Sequence, residues 1–166
     1  MRNFDYESAA SFEEASTLLK NTESGKAVAI AGGTDLVGVM KEKILKKAPE
    51  KVVNLKTIQE GNYIKEEGNA IEIGALTKLT QIVESPALTE GAAAVQEAAK
   101  SIASPIIRNE GTIGGNLCQD VRCWFYRYPH EASGRLNCAR KCGEECYAIH
   151  GENRYHSIFG GYKICT

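Results

Sequence analysis

The sequence predicts an α+β fold that begins with a small parallel sheet and ends in a cysteine-rich segment. Three observations predict this class. Apolar runs of strand length alternate with helix-period segments in the first third of the chain, a β-hairpin pattern follows, and all six cysteines lie at or after Cys118. With 166 residues, 43% of them hydrophobic, the chain has the composition of a globular protein, which excludes wholesale disorder.

Residues 4–56 predict a parallel βαβαβ unit. Ser11 stands three residues before Glu14, the spacing of a helix-capping box. The apolar runs 27–31 and 51–55 are typical of strands that are buried on both faces, and helical spacing of apolar residues resumes between them. Strand, helix, strand, helix, strand is the order that builds a small parallel sheet.

Residues 57–117 predict the start of a second, mixed α+β region. Two alternating segments flank the turn residues 66–69, which is the pattern of a β-hairpin. We expect Thr77 to cap a helix and the alanine-rich segment 91–101 to be helical. A proline then ends that helix, and residues 108–117 are expected to form a turn-rich loop.

The charge is nearly balanced, with 20 basic and 21 acidic side chains and a net charge of -1. No strong field therefore favours nucleic acid or an anionic membrane surface. No apolar run reaches the roughly 18 residues of a membrane span, and the N-terminus lacks the apolar core of a secretory signal. These features predict a cytoplasmic protein without a membrane span, in a reducing compartment where stable disulfides are disfavoured.

Two segments pair adjacent glycines with polar residues, namely Ala31-Gly32-Gly33-Thr34-Asp35 and Ile113-Gly114-Gly115-Asn116. Paired glycines let a backbone approach a ligand closely and tolerate positive φ, and successive N–H groups in such a turn bind anions. Neither segment matches the dinucleotide or P-loop pattern. From spacing alone, each segment is either a phosphate-binding turn or an ordinary tight turn.

The cysteine-rich segment 118–166 shows little periodicity and is expected to need a ligand or a partner in order to fold. Four thiolates can hold an iron–sulfur cluster or a zinc ion. Cys138, Cys142 and Cys146 are closely spaced but lack the C-x2-C pairs of common zinc ribbons and ferredoxins. Spacing therefore favours a metal site over free thiols or disulfides, and it leaves zinc and iron both open.

The two glycine segments resemble the FAD-binding subunit of the molybdenum hydroxylases. The residues that carry this resemblance run from Ala29 to Leu36, after a buried strand, and from Arg108 to Cys118, about eighty positions later. The family includes xanthine dehydrogenase, carbon monoxide dehydrogenase and 4-hydroxybenzoyl-CoA reductase. The resemblance implies an FAD-binding domain of the type found in vanillyl-alcohol oxidase. We expect its first subdomain at residues 1–56, the start of its second subdomain at 57–117 and a cysteine-rich iron–sulfur loop at 118–166.

The resemblance also implies where FAD binds. The first glycine segment would wrap the FAD pyrophosphate, the second would supply a backbone clamp, and Ile102 would lie near the flavin. The implied FAD-binding residues are Ala29, Ile30, Ala31, Gly32, Gly33, Thr34, Asp35, Leu36, Ile102, Thr112, Ile113, Gly114, Gly115 and Asn116.

A subset of these flavin subunits, similar to 4-hydroxybenzoyl-CoA reductase, carries an extra loop that binds a 4Fe-4S cluster. The segments around Cys123, Cys138 and Cys146, and the run 151–160, are similar to that loop. The implied ligands are Cys123, Cys138, Cys146 and Cys165. Cys118 is assigned to the FAD motif instead.

Three other positions in this loop bear on the assignment of the ligands. Cys142 stands where the family usually has glycine, and it is either a spare thiol or a rival fourth ligand. Tyr155 occupies the place of the last ligand in the reductase itself. We expect His156 to be a structural, hydrogen-bonded histidine rather than a metal ligand.

The resemblance implies an oxidoreductase subunit that passes electrons between FAD, the additional cluster and partner iron–sulfur centres. The implied partners are a large molybdenum-cofactor subunit and a small 2Fe-2S subunit, in a heterotrimer that can dimerise. Family members continue beyond this length with further FAD-domain strands. Two alternatives remain, a zinc-stabilised binding module without a redox role and a truncated remnant that no longer binds FAD. No acid–base residue is expected, because no nucleophile–histidine pair or carboxylate dyad stands out.

Overall fold

The computed structural model describes residues 1–23, 25–129 and 136–156. The described residues contain five strands and eight α-helices. Their contacts divide the chain into two compact units, a larger one of residues 4–35 and 49–118 and a smaller one that combines 1–3, 36–48 and 119–166. The domain boundaries given above from the sequence stay a prediction.

The larger unit begins with the predicted parallel sheet. Strands β1 (Asp5–Ser8), β2 (Ala27–Ile30) and β3 (Lys51–Asn54) are arranged with β3 between the other two, and both pairings are parallel. The central strand has neighbours on both sides, and its Val52 and Val53 are almost completely buried. The α+β fold with a βαβαβ start is therefore confirmed.

Helix α1 (Phe12–Lys20) connects β1 to β2 and begins with the predicted cap. The Ser11 hydroxyl accepts the Glu14 N–H at 3.1 Å, and the Glu14 carboxylate accepts the Ala10 N–H at 2.6 Å. In the usual capping box that carboxylate accepts the N–H of the cap residue itself. Here it reaches one residue further back, so the two contacts fix the turn that leads into the helix.

A hairpin and five short helices complete the larger unit. Strands β4 (Ile64–Glu67) and β5 (Ala70–Ile73) pair antiparallel, as predicted, around Gly68 with a φ of +61°. The helices are α3 (Leu79–Glu84), α4 (Pro86–Gly91), α5 (Ala93–Ser101), α6 (Pro105–Glu110) and α7 (Ile113–Leu117). Their buried core consists of Leu79, Ile82, Leu88 and Ala99.

Two local predictions were wrong. Thr77 does not cap a helix, because its buried hydroxyl accepts the Tyr63 N–H at 3.1 Å and donates to the Tyr63 carbonyl at 2.9 Å. Helix α3 instead follows Lys78, whose N–H donates to the side chain of Gln81. The predicted loop 108–117 contains the end of α6 and the whole of α7.

The smaller unit has little regular structure. Helix α2 (Leu36–Lys41), which lies between β2 and β3 in the sequence, belongs to this unit together with the short helix α8 (Trp124–Arg127) and a 3-10 turn at Ala139–Lys141. Its buried core is formed by Val39, Ile44, Cys123, Tyr126, Cys138 and Ala148. In neither unit does a described helix have both the length and the apolar character of a membrane span.

Candidate functional site: two glycine turns and a cysteine-lined cavity

The fold brings the first glycine turn (residues 31–35) against the chain that leads into the second (residues 112–116). A Cβ placed on Gly32 would lie 2.1 Å from the Glu110 carbonyl oxygen, and one placed on Gly111 would lie 3.5 Å from the Thr34 hydroxyl. About eighty residues separate the two turns in the sequence. Glycine is therefore required at position 32, because the two backbones are too close there to leave room for a side chain.

The first glycine turn presents free backbone donors. Among the described residues of the larger unit, no acceptor receives the N–H groups of Gly32, Gly33 or Thr34. Gly33 has a φ of +73°, a conformation that glycine adopts without strain. Consecutive N–H groups around a positive-φ residue form a concave anion-binding site.

The second glycine turn is different, because protein acceptors already receive its backbone donors. Thr112 stands at the N-terminus of α7 and is 5% exposed. The N–H groups of residues 113 to 116 donate in turn to Thr77 O at 2.9 Å, Ala75 O at 2.9 Å, Thr112 Oγ1 at 3.2 Å and Thr112 O at 2.9 Å. These four backbone N–H groups are therefore held by acceptors within the protein itself.

The other residues predicted to bind FAD have varied surroundings. In β2, Ala29 is exposed and Ile30 is half-buried, and Ala31 packs against the core beside the sheet. Ile102 is half-buried against the helical core of the larger unit. Leu36 begins α2 and so belongs to the smaller unit.

Sequence reasoning missed two contacts that hold the chain just before the second glycine turn. The Arg108 guanidinium donates to the carbonyl of Ile102 at 2.8 Å and to that of Lys100 at 3.1 Å. The Thr80 hydroxyl donates to the Asn109 side chain at 2.6 Å. Arg108 and Asn109 are part of the Arg-Asn-Glu-Gly run that carries the family resemblance, but their partners are defined only by the folded chain.

Three of the four predicted cluster ligands line one open cavity in the smaller unit. Cys123 and Cys138 are buried and Cys146 is half-buried. The fourth predicted ligand, Cys165, lies outside the described residues. The remaining lining residues are Phe125, Tyr126, Ala139, Arg140, Tyr147, Ala148 and His156.

The other cysteines do not line this cavity. Cys118 and Cys142 are exposed, and Cys142 has a φ of +64°, a conformation that favours glycine. Within the described part of the chain, no three His, Cys, Asp or Glu side chains gather closely enough to hold a single metal ion.

Asp120 organises one wall of the cavity. Its carboxylate accepts a hydrogen bond from the Tyr126 hydroxyl and pairs with Arg140 at 3.0 Å, and the Arg140 guanidinium lies 5.4 Å from the centre of the Tyr126 ring. Burial and the hydrogen bond to Asp120 raise the pKa of Tyr126, so this phenol stays protonated. The wall therefore combines an aromatic ring with the Asp120–Arg140 ion pair.

A second cation is buried beside the same wall. Lys141 is 5% exposed, its ammonium donates to the Tyr128 carbonyl, and it lies 5.5 Å from the centre of the Tyr126 ring. Burial lowers the pKa of Lys141, while negative charge on Cys138 opposes that shift. Negative charge at the cysteines would therefore stabilise the buried ammonium.

Comparison with known proteins shows the family. Residues 2–123 match the FAD binding domain in molybdopterin dehydrogenase. The chain is 41% identical over 117 residues to the FAD subunit of nicotinate dehydrogenase from Eubacterium barkeri, covering 70% of this chain and 39% of the relative. The similarity confirms the predicted resemblance, and the family match extends over residues 2–123.

A second relative matches across the cysteine-rich segment as well. The chain is 28% identical over 166 residues to PaoB, the FAD-binding subunit of aldehyde oxidoreductase from Escherichia coli K12, covering 99% of this chain and 49% of the relative. This chain therefore spans half or less of the length of these relatives.

A solved structure shows the same fold. Carbon monoxide dehydrogenase from Hydrogenophaga pseudoflava, in a form that lacks the Mo-pyranopterin moiety, superposes with a TM-score of 0.66 at 37% identity, over 70% of this chain and 39% of that chain. The family match covers both glycine turns, and the superposition extends over most of the chain. The chain therefore belongs to the family of FAD-binding domains found in molybdopterin dehydrogenases.

Proposed function

We propose that this chain binds FAD at the first glycine turn and carries a 4Fe-4S cluster in the cysteine-lined cavity, as the electron-transfer part of a molybdenum hydroxylase. The observation that carries the FAD assignment is the run of three backbone N–H groups, at Gly32, Gly33 and Thr34, for which the described residues of the larger unit provide no acceptor. The FAD pyrophosphate supplies the anionic oxygens that such donors bind.

The roles of the two glycine turns differ in this proposal. The first turn donates to the pyrophosphate through its backbone. The second turn positions the first, since Gly32 packs against Glu110 and the donors of residues 113–116 hold that region together. Asn116 offers a side-chain amide at the same place, and Ile102 contributes apolar surface near the isoalloxazine ring.

We assign this cavity to a 4Fe-4S cluster rather than to a zinc ion. In a 4Fe-4S cluster each cysteine binds a different iron, so the sulfurs surround an inorganic core, whereas zinc draws its donors around one point. Cys123, Cys138 and Cys146 lie around one open cavity, and the surrounding segment is similar to the cluster-binding loop of related subunits. Cys165 is proposed as the fourth ligand.

The charges around the cavity support the same assignment. A buried lysine is costly unless a negative charge compensates it. Among the described contacts of Lys141 are a carbonyl and an aromatic ring, and its electrostatic attraction is to Cys138. A thiolate-bound cluster carries net negative charge and would stabilise Lys141.

When bound, FAD and the cluster supply the redox chemistry, and the protein supplies geometry, shielding and charge. Phe125, Tyr126 and Tyr147 line the cavity with aromatic rings, which together with the nearby cations would tune the potential of a bound cluster. The proposed partners are the large molybdenum-cofactor subunit and the small 2Fe-2S subunit of a heterotrimer. The proposed location is the cytoplasm.

Anaerobic purification with iron, acid-labile sulfide, zinc and flavin measured per chain tests this function. We expect about four iron and four sulfide per chain, a brown protein that dithionite bleaches, and bound FAD. A colourless protein that contains one zinc per chain would support the zinc-stabilised binding module instead. A folded protein without metal or flavin would indicate a remnant of the family.

A further inference from the structure

We propose that His156 is a positioning residue for Cys146, whose imidazole N–H donates a hydrogen bond to the Cys146 sulfur and raises the reduction potential of the cluster. This inference rests on the proposed cluster in the cysteine-lined cavity. It deepens that proposal, because it assigns a role to a side chain that is not one of the four proposed ligands.

The geometry places the two side chains in contact. Nε2 of His156 lies 3.7 Å from Sγ of Cys146, within the range of hydrogen bonds to sulfur, and both residues line the cavity. His156 is half-buried, so its imidazole is partly removed from water. The contact therefore involves the part of Cys146 that would face the iron.

The backbone on either side holds His156 at this position. Its N–H donates to the Asn153 carbonyl at 2.9 Å, which closes a tight turn. The preceding residue, Tyr155, stacks on Trp124 with ring centres 5.1 Å apart, and Trp124 directly follows Cys123. The turn carrying His156 is therefore joined to the segments of two proposed ligands.

The chemistry of an iron-bound thiolate fixes which group donates. A coordinated cysteine has lost its proton and can only accept a hydrogen bond, so the imidazole nitrogen that faces it must carry the hydrogen. Donation to a ligand sulfur withdraws electron density and stabilises the more negative, reduced form of the cluster. The resulting shift in potential is toward more positive values.

The test compares His156→Leu with His156→Gln in the cluster-loaded full chain, with exposed His150→Leu as the matched control. Midpoint potentials come from a redox titration followed by electron paramagnetic resonance, and iron is measured in each sample. We expect His156→Leu to keep its iron. Its equilibrium constant for one-electron reduction of the cluster should fall about tenfold, which lowers the midpoint potential by about 59 mV. His156→Gln keeps an amide donor and should lie closer to the unmodified chain and to His150→Leu.

An unchanged potential in an iron-loaded His156→Leu protein would overturn the inference and leave the cluster proposal intact. Loss of iron in both His156 variants would also overturn it, because His156 would then be a ligand. A second readout needs no variant. In a chain with 15N-labelled histidine, pulsed electron paramagnetic resonance should detect only a weak coupling between the cluster spin and the imidazole 15N across the hydrogen bond. A strong coupling would indicate an Fe–N bond. An unmodified chain that cannot hold iron and sulfide would overturn both proposals.

Discussion

The carbonyl oxygen of Glu110 occupies the space in which a side chain on Gly32 would begin. The distance from that oxygen to a Cβ on Gly32 would be 2.1 Å, far inside ordinary van der Waals contact. The pair of glycines in the first turn therefore has two separate causes. Gly32 lets two backbones meet, whereas Gly33, with a φ of +73°, shapes the turn itself.

The first prediction concerns the contact between the turns. Gly32→Ala should lower the free energy of unfolding by at least about 2 kcal/mol, because the added methyl group can fit only if one of the two backbones moves. Urea denaturation measures this change. Gly38→Ala is the matched control, since no atom lies within 4 Å of its Cβ and the site is in helix α2. Equal stability losses in both variants would contradict the proposed role of Gly32.

The second prediction separates the flavin from the cluster. Gly33→Val should abolish FAD retention while the iron colour remains, because a β-branched residue at positive φ distorts the turn that presents the three N–H groups. Gly33→Asn should retain more flavin, since asparagine tolerates this conformation. The flavin-to-protein ratio after gel filtration checks both variants, and full flavin occupancy in Gly33→Val would argue against the turn as the pyrophosphate site.

The third prediction tests the second turn as a support. Thr112→Val removes the hydroxyl that accepts the Gly115 N–H and should lower the free energy of unfolding by about 1 kcal/mol. Thr112→Ser keeps the acceptor and should lose much less. Thermal unfolding of the flavin-free chain measures the difference. A Thr112→Val protein as stable as Thr112→Ser would show that the cap contributes nothing.

The fourth prediction distinguishes the cysteines. Cys146→Ala should lose the cluster because it removes a sulfur from the cavity wall, whereas Cys118→Ala and Cys142→Ala should keep full iron content because both thiols are exposed and neither lines the cavity. Iron and sulfide analysis after anaerobic purification shows which of these cysteines the cluster requires. Retention of the cluster in Cys146→Ala together with its loss in Cys142→Ala would mean that Cys142 is the ligand.

The fifth prediction concerns the buried cation. Lys141→Met should leave iron content unchanged but lower the reduction equilibrium constant of the cluster about three- to tenfold, because a nearby positive charge favours the more negative reduced state. Lys47→Met, an exposed lysine of the same unit, serves as the control. Identical potentials in the two variants would show that Lys141 does not act on the cluster.

The sequence was most informative where structure depends on neighbouring residues. The three parallel strands, the hairpin around Gly68 and the cap at Ser11 all follow from local patterns, and all three are present. Thr77 shows where this reasoning fails. A threonine before a helix has the composition of a cap, but its hydroxyl binds the Tyr63 backbone, a contact that requires the hairpin to be in place.

The candidate site shows the same limit. Both glycine turns look alike in the sequence, yet one leaves its N–H groups available and the other donates them to Thr77, Ala75 and Thr112. No local pattern encodes that difference, because the acceptors come from elsewhere in the fold. Likewise, the irregular spacing of Cys123, Cys138 and Cys146 gives no periodic signal, and only the folded segment shows that they share a cavity.

The cysteine-rich segment shares its hydrophobic core with an earlier stretch of the chain. Val39 and Ile44, from residues 36–48, pack in the same core as Cys123, Tyr126, Cys138 and Ala148. The segment therefore cannot be transferred by itself to a relative that lacks these cysteines. A chimaera would have to exchange both stretches together, so that the side chains from residues 36–48 still fill the core of the transferred segment.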